Sequence, residues 1–168
     1  MRSGVDAAVA ERRDVDRFFD LSLDLMGIAS AEGRFVQINP AFTRTLGYSR
    51  AEFSARPFMD FVHPDDVPAT MEKFAALGAG QDVVGFENRY RCKDGSYRWL
   101  LWSATAMQDG RTFAVARDVT ERKRIEAELH ASREQAAGAS RAKWDFLSHM
   151  SHQLSTPLND HRDDSASA

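Results

Sequence analysis

Val83-Val-Gly-Phe-Glu-Asn-Arg-Tyr-Arg-Cys-Lys-Asp-Gly-Ser-Tyr-Arg-Trp99 decides the fold. Asp94-Gly95 sits between two runs rich in β-branched and aromatic residues, and Asp-Gly in that setting is a strong short-range hairpin signal. Residues 83–92 and 96–107 are therefore expected to pair antiparallel. A second Asp-Gly, in Gln108-Asp-Gly110, separates the latter run from residues 111–117. The two turns together predict three consecutive antiparallel strands.

Toward the N-terminus the pattern changes. Residues 25–30 form a short apolar run and residues 34–38 alternate, with the turn Ala31-Glu-Gly33 between them, so two more strands are expected. Asn39-Pro40 suits a helix start, with Asn as N-cap and Pro at the first helical position, and Gly47 suits its end. Ser49-Arg-Ala-Glu52 is a capping box, and Tyr48 and Phe53 stand where a hydrophobic staple needs them. Residues 58–62 are a short aromatic segment. His63-Pro-Asp-Asp66 is expected to open a longer helix through residue 76, its acids favoured by the helix dipole, with Gly78 and Gly80 ending it. Residues 14–24 read as a short helix, and residues 1–14 as a separate lead-in helix or a disordered end. Helices grouped between strand runs predict an α+β fold.

Composition narrows the function classes. The chain has 168 residues, a formal net charge of -3 and a single cysteine, Cys92. That balance gives no reason to expect nucleic acid or an anionic membrane as partner. One cysteine forms no internal disulfide and fits a reducing compartment. No run approaches the ~20 apolar residues that span a bilayer, and residues 1–16 lack an apolar signal-peptide core, so a cytoplasmic location is expected. No metal-ligand cluster, glycine-rich phosphate loop or Ser-His-Asp order is visible in the sequence.

Five phrases in order resemble a PAS domain: Gly33-Arg-Phe-Val-Gln-Ile-Asn-Pro-Ala-Phe42, Leu46-Gly-Tyr-Ser49, His63-Pro-Asp-Asp66, Arg91-Cys-Lys-Asp-Gly-Ser-Tyr-Arg-Trp99 and Asp118-Val-Thr120. The resemblance implies a PAS-like five-stranded antiparallel sheet with helices on one face, often with a small-molecule cavity between them. Light-sensing relatives carry a cysteine in an Asn-Cys-Arg-Phe motif, which is absent here. Haem-binding relatives carry a histidine on the helix at residues 65–76, and none occurs there. His63 is expected to cap or stabilise a turn, and Cys92 to be a small strand residue. Phe35, Phe42, Phe53, Phe58, Phe61, Met71, Phe74, Phe86, Trp99 and Trp102 could line a cavity, and are expected to be core.

From Asp118 onward the period is helical. Asp118-Val-Thr-Glu121 can cap a new helix. With Ile125 at heptad position d, the seam runs Ile125, Leu129, Ser132, Ala136, Ala139, Lys143, Phe146 and Met150. It is apolar at both ends and weak in the middle, where Gly138 lowers helix propensity further. A homodimer through residues 120–150 is expected, marginal enough to switch between registers.

Phe146, Leu147, Met150, Ser151, His152, Leu154, Thr156, Pro157 and Leu158 resemble the phosphoacceptor box of sensor histidine kinases, which usually reads Phe-Leu-x-x-Met-Ser-His-Glu-Leu-Arg-Thr-Pro-Leu. The resemblance implies that a ring nitrogen of His152 accepts the γ-phosphoryl group of ATP. The seam places His152 at position c, facing outward. Gln153 stands at the usual acid/base position and Ser155 at the usual arginine. An amide accepts a hydrogen bond but does not usefully take a proton. Pro157 is expected to kink or end the helix.

These expectations divide the chain into a lead-in (1–14), a PAS sensor domain (15–119), a coiled-coil linker (120–143), an incomplete phosphoacceptor box (144–159) and a disordered tail (160–168). The sequence holds no ATP-binding motif, so ATP and magnesium are expected only through a separate catalytic domain, and whether the chain itself counts as an enzyme stays open. The expected function is the sensory and phosphoacceptor portion of a two-component kinase, truncated before its ATP-binding domain. The alternative is a stand-alone, non-catalytic PAS protein that dimerises with or modulates a full-length kinase. Expected partners are a second copy, a cognate response regulator or kinase ATP-binding domain, and a small molecule in the PAS cavity.

Overall fold

A computed structural model describes residues 2–155. It divides into two compact units, one through Lys123 and one from Arg124 onward. The first holds the helix α1 (Arg2–Leu21), strands β1 (Leu25–Ala29) and β2 (Phe35–Ile38), and helices α2 (Pro40–Leu46) and α3 (Arg50–Ser54). Two 3-10 turns (Phe58–Phe61 and Pro64–Asp66) lead into α4 (Val67–Gly78). Strands β3 (Val83–Arg91), β4 (Tyr97–Ala106) and β5 (Thr112–Asp118) follow, and then α5 (Thr120–Ser155).

The five strands make one antiparallel sheet in the order β2-β1-β5-β4-β3. The three hairpins share one turn. At Ala31-Glu-Gly33, Lys93-Asp-Gly95 and Gln108-Asp-Gly110 a three-residue loop ends on a glycine of positive φ. Each glycine donates its N–H to the carbonyl three residues back. Glycine reaches that left-handed conformation without a Cβ clash.

Strand alternation turns Leu25, Ala29, Phe35, Leu100, Trp102, Ala114 and Ala116 inward, where they meet Phe42, Leu46, Phe53, Phe58 and Phe61 from the helical segment. Phe53 and Phe61 stack with ring centroids 4.5 Å apart, and Phe42 lies 5.2 Å from both Phe35 and Phe53. Burial of these rings is the main stabilising term, each contributing on the order of 2–3 kcal/mol.

One irregularity sets the inward face of β3. The register passes from Val84↔Ser103 to Phe86↔Trp102, so Gly85 is an extra residue, with φ of 72°. This β-bulge resets the two-residue alternation. Val83 is buried on one side of it, and Phe86, Asn88 and Tyr90 face inward on the other.

The structure corrects four sequence expectations. Residues 2–21 form one helix rather than a lead-in and a separate helix from Asp14, because nothing near Asp14 breaks a run without proline. Ser22 ends it, its hydroxyl accepting from the Asp24 N–H at 3.1 Å. Asn39 has N-cap backbone angles but its side chain does not cap. That amide instead accepts from Met26 N–H at 3.0 Å and donates to the carbonyls of Phe19 and Asp24 at 3.1 and 2.9 Å. The helix expected to open at His63 is split into a 3-10 turn and α4, because Pro68 has no N–H to return to the Pro64 carbonyl. Finally, Met71 and Trp99 do not line the core. Met71 is exposed on α4, and Trp99 faces outward on β4 beside Arg89 and Lys123.

Other local expectations hold. Ser49 and Glu52 form the capping box, and the rings of Tyr48 and Phe53 lie 6.1 Å apart. His63 Nδ1 accepts from the Asp65 N–H, capping the turn. Cys92 is buried as a small residue, though just past the end of β3 rather than in the strand, its thiol 3.8 Å from the Thr45 carbonyl. Pro157 and the tail at 160–168 lie outside the described residues.

Candidate functional site

Between α4 and the inner faces of β3, β4 and β5 lies a cavity of about 60 Å³. Phe35, Phe58, Phe74, Phe86 and Trp102 supply much of its wall. The only charged residue in its lining is Lys73, which is exposed.

A chain of polar groups runs along one wall. Trp102 Nε1–H donates to Asn88 Oδ1 at 2.8 Å, Asn88 Nδ2 donates to Thr70 Oγ1 at 3.0 Å, and Thr70 Oγ1 donates to the Asp66 carbonyl at 2.7 Å. Burial would make any unpaired member costly, so the chain fixes the Trp102 ring and the first turns of α4 against the sheet. Tyr90 is different. Its side chain is 2 % exposed, and its hydroxyl makes no hydrogen bond to a described residue. Burial alone pushes its titration well above the ordinary phenol range. No fully enclosed side-chain nitrogen or oxygen among the described residues lacks a partner. The Tyr90 oxygen is therefore within reach of water, and the cavity is a space that Tyr90 lines.

The Asp66 carboxylate continues outward from this wall. It accepts from the Arg89 backbone N–H at 2.8 Å and from both arms of the guanidinium at 2.9 and 2.7 Å. Those hydrogen bonds hold Asp66 below the usual carboxylate range and raise Arg89. Arg89 lies 5.1 Å over the ring of Trp99, and Lys123 lies 4.9 Å over the same ring. Glu87 pairs with both Lys123 and Arg122, which depresses its pKa, Lys123 being the larger cause.

The exit from the sheet is tied down by the backbone. Val119 N–H donates to the Trp99 carbonyl at 2.8 Å, and Trp99 N–H donates to Thr120 Oγ1 at 2.9 Å. Asp118 Oδ1 accepts from the Thr120 N–H and hydroxyl at 2.9 and 2.6 Å. The Asp-Val-Thr phrase is thus a clamp that turns β5 into α5, with Thr120 serving both the sheet edge and the helix start.

The second unit is helical, α5 running on to Ser155. Ile125, Leu129, Phe146 and Met150, all expected in the seam, are 43–63 % exposed. His152 and Gln153 are exposed in the last turns of α5. Gln153 Nε2 lies 3.3 Å from His149 Nε2, one turn back. His149 was not singled out from the sequence, although its i, i+4 spacing to Gln153 could have shown it. Thr156, the third expected site residue, lies outside the described residues.

Sequence reading also passed over Asn88, Tyr90, Thr70 and Glu87. Polar residues at alternate strand positions were the available signal, but the bulge at Gly85 hides which alternation faces in. Among the described residues no group of three or more His, Cys, Asp or Glu side chains is placed to hold a metal, and no helix is long and apolar enough to cross a membrane.

Comparison with known proteins agrees with this geometry. Residues 35–116 match the family described as PAS fold. The cell-division control histidine kinases PdhS of Brucella ovis and Brucella abortus are 29% identical over 171 residues, covering 94% of this chain and 16% of theirs. The chain therefore spans about a sixth of the length of these curated relatives. A domain of a sensory box sensor histidine kinase/response regulator from Geobacter sulfurreducens superposes with a TM-score of 0.58 at 25% identity, over 64% of this chain and 94% of that one. The PAS domain of an HTR-like protein from Haloarcula marismortui has a TM-score of 0.60 at 20% identity over 70% of this chain and 99% of its own, a likeness of fold.

Proposed function

From the premise that this chain carries a PAS domain like those of sensor histidine kinases, we propose that it is the sensory and phosphoacceptor portion of a two-component kinase. The observation that carries the reading is continuity: β5, which lines the cavity through Thr112 and Ala114, passes through the Asp118–Thr120 clamp into the helix that bears His152. A change in the cavity would act on the sheet, and the clamp would pass it to α5. The exposed apolar row on α5 supports a homodimer through residues 120–150. His152 would take a phosphoryl group from ATP held with magnesium by a separate catalytic domain, and pass it to a response regulator. A neutral imidazole nitrogen is a competent nucleophile near pH 7. Gln153 accepts a hydrogen bond without serving as base, so acceptance is expected to be slow.

The test supplies the ATP-binding domain of a related PAS kinase in trans with ATP and magnesium. Acid-labile phosphate on the wild type, lost in His152→Ala and raised in Gln153→Glu, is the expected result. Equal labelling of wild type and His152→Ala, or none on either, overturns it.

The uncharged Gln153 favours a second reading, in which the chain dimerises with a full-length kinase and modulates it without accepting phosphate. Sedimentation with such a kinase separates the two. Mixed dimers with no His152 label select the second reading.

A further inference from the structure

The cavity has an interior whose polar groups differ in kind. Asn88, Thr70 and the Trp102 indole satisfy one another. Tyr90 lines the same cavity, and its hydroxyl has no protein partner among the described residues. No fully enclosed polar atom among the described residues lacks a partner, so water can reach that hydroxyl. An incoming acceptor would replace the water's hydrogen bond, whereas a purely apolar occupant would displace the water and leave the donor unpaired.

Charge and size narrow the occupant further. No acidic side chain lines the cavity, and its one cation, Lys73, is exposed and stays solvated where it stands. A carboxylate drawn to Lys73 would leave the Tyr90 end unmet, and a carboxylate pushed to Tyr90 would surrender its hydration among phenyl rings. Each water-sized site needs about 10–15 Å³, so a volume of about 60 Å³ holds about four to six non-hydrogen atoms. A flavin or haem far exceeds that space.

We propose that this cavity takes a small uncharged molecule of about four to six non-hydrogen atoms, largely apolar, whose single acceptor oxygen is recognised by the Tyr90 hydroxyl. This deepens the sensory reading above by naming the ligand class, and it rests on that reading only for its consequence. Binding itself is independent of His152, so the two ideas fail separately.

Three near-isosteric probes test it on the full chain: butanone, propionate and 2-methyl-1-butene. The Trp102 indole N–H resonance, inside the cavity wall, reports occupancy by NMR titration. Butanone is expected to shift that resonance saturably and to bind at least severalfold tighter than 2-methyl-1-butene. In Tyr90→Phe butanone should weaken roughly tenfold, while 2-methyl-1-butene, which needs no donor, binds as well or better and shows that the cavity is still formed. Three results overturn the proposal: propionate binding tightest and losing its advantage in Lys73→Met, butanone unaffected by Tyr90→Phe, or no probe shifting the Trp102 signal saturably.

Discussion

The sheet unit and α5 use apolar residues in opposite ways. In the sheet unit the large rings between the sheet and α2, α3 and α4 are enclosed, while Phe18 on α1 is 77 % exposed. Phe42 and Phe53 are each 1 % exposed, and they touch rings from other elements of that unit. On α5 the large apolar residues stand in solvent, Phe146 at 63 % and Leu154 at 69 %. A helix of mostly charged and small residues gains little from its own hydrogen bonds, since most helical stability comes from burying an apolar face. The sheet and the helices packed on it thus complete a core within themselves, whereas α5, like α1, has apolar contacts left to be made. That division fits the relay proposed above, which needs one element whose arrangement is open to change.

The largest test of this contrast is paired truncation. Phe42→Ala should lower the unfolding free energy of the sheet unit by about 3–5 kcal/mol, through lost transfer energy and a new cavity. Phe146→Ala should leave that unfolding within about 0.5 kcal/mol yet weaken self-association in sedimentation. An equal loss of stability in both variants would mean that the contrast is wrong.

A smaller effect is expected at the bulge. Gly85 has room for a Cβ but a φ of 72°. Gly85→Ala should therefore cost about 1–2 kcal/mol through conformation alone. Hydrogen exchange should show the loosening concentrated in β3, beside the cavity. A neutral result would show that β3 holds its inward face without the bulge.

The smallest expected effect sharpens the electrostatic side. The Lys93 ammonium and then the Ser49 N–H and hydroxyl pull Glu52 from an ordinary 4.5 to about 2. Its contribution is complete above pH 4.5 and fades as pH falls toward 2. Glu52 and Lys93 are both exposed, so solvent screens the pair and the change is slight. Glu52→Gln should flatten the acid limb of a stability-against-pH curve in that window and leave pH 7 nearly unchanged. A steeper acid limb in the variant would reverse the assignment.

The match between sequence and structure varies with how local the cause is. The hairpins at Asp94-Gly95 and Asp109-Gly110, the capping box at Ser49 and the left-handed Gly47 after α2 were legible because a few adjacent residues decide them. Asn39 misled because its cap competes with three backbone partners from distant segments, and the distant ones hold it. Trp99 misled because a large ring reads as core until strand alternation is placed.

By itself, then, the sequence determined five strands, their turns, the α+β order and a long helix carrying His152, since propensity and turn chemistry act over a few residues. Only the tertiary structure decided which side of β3 faces in. One extra residue at Gly85 turns every later side chain over, and that choice gives Asn88 to Trp102 and leaves Tyr90 facing the cavity. Pairing register is a property of two strands at once, and neither strand states it alone.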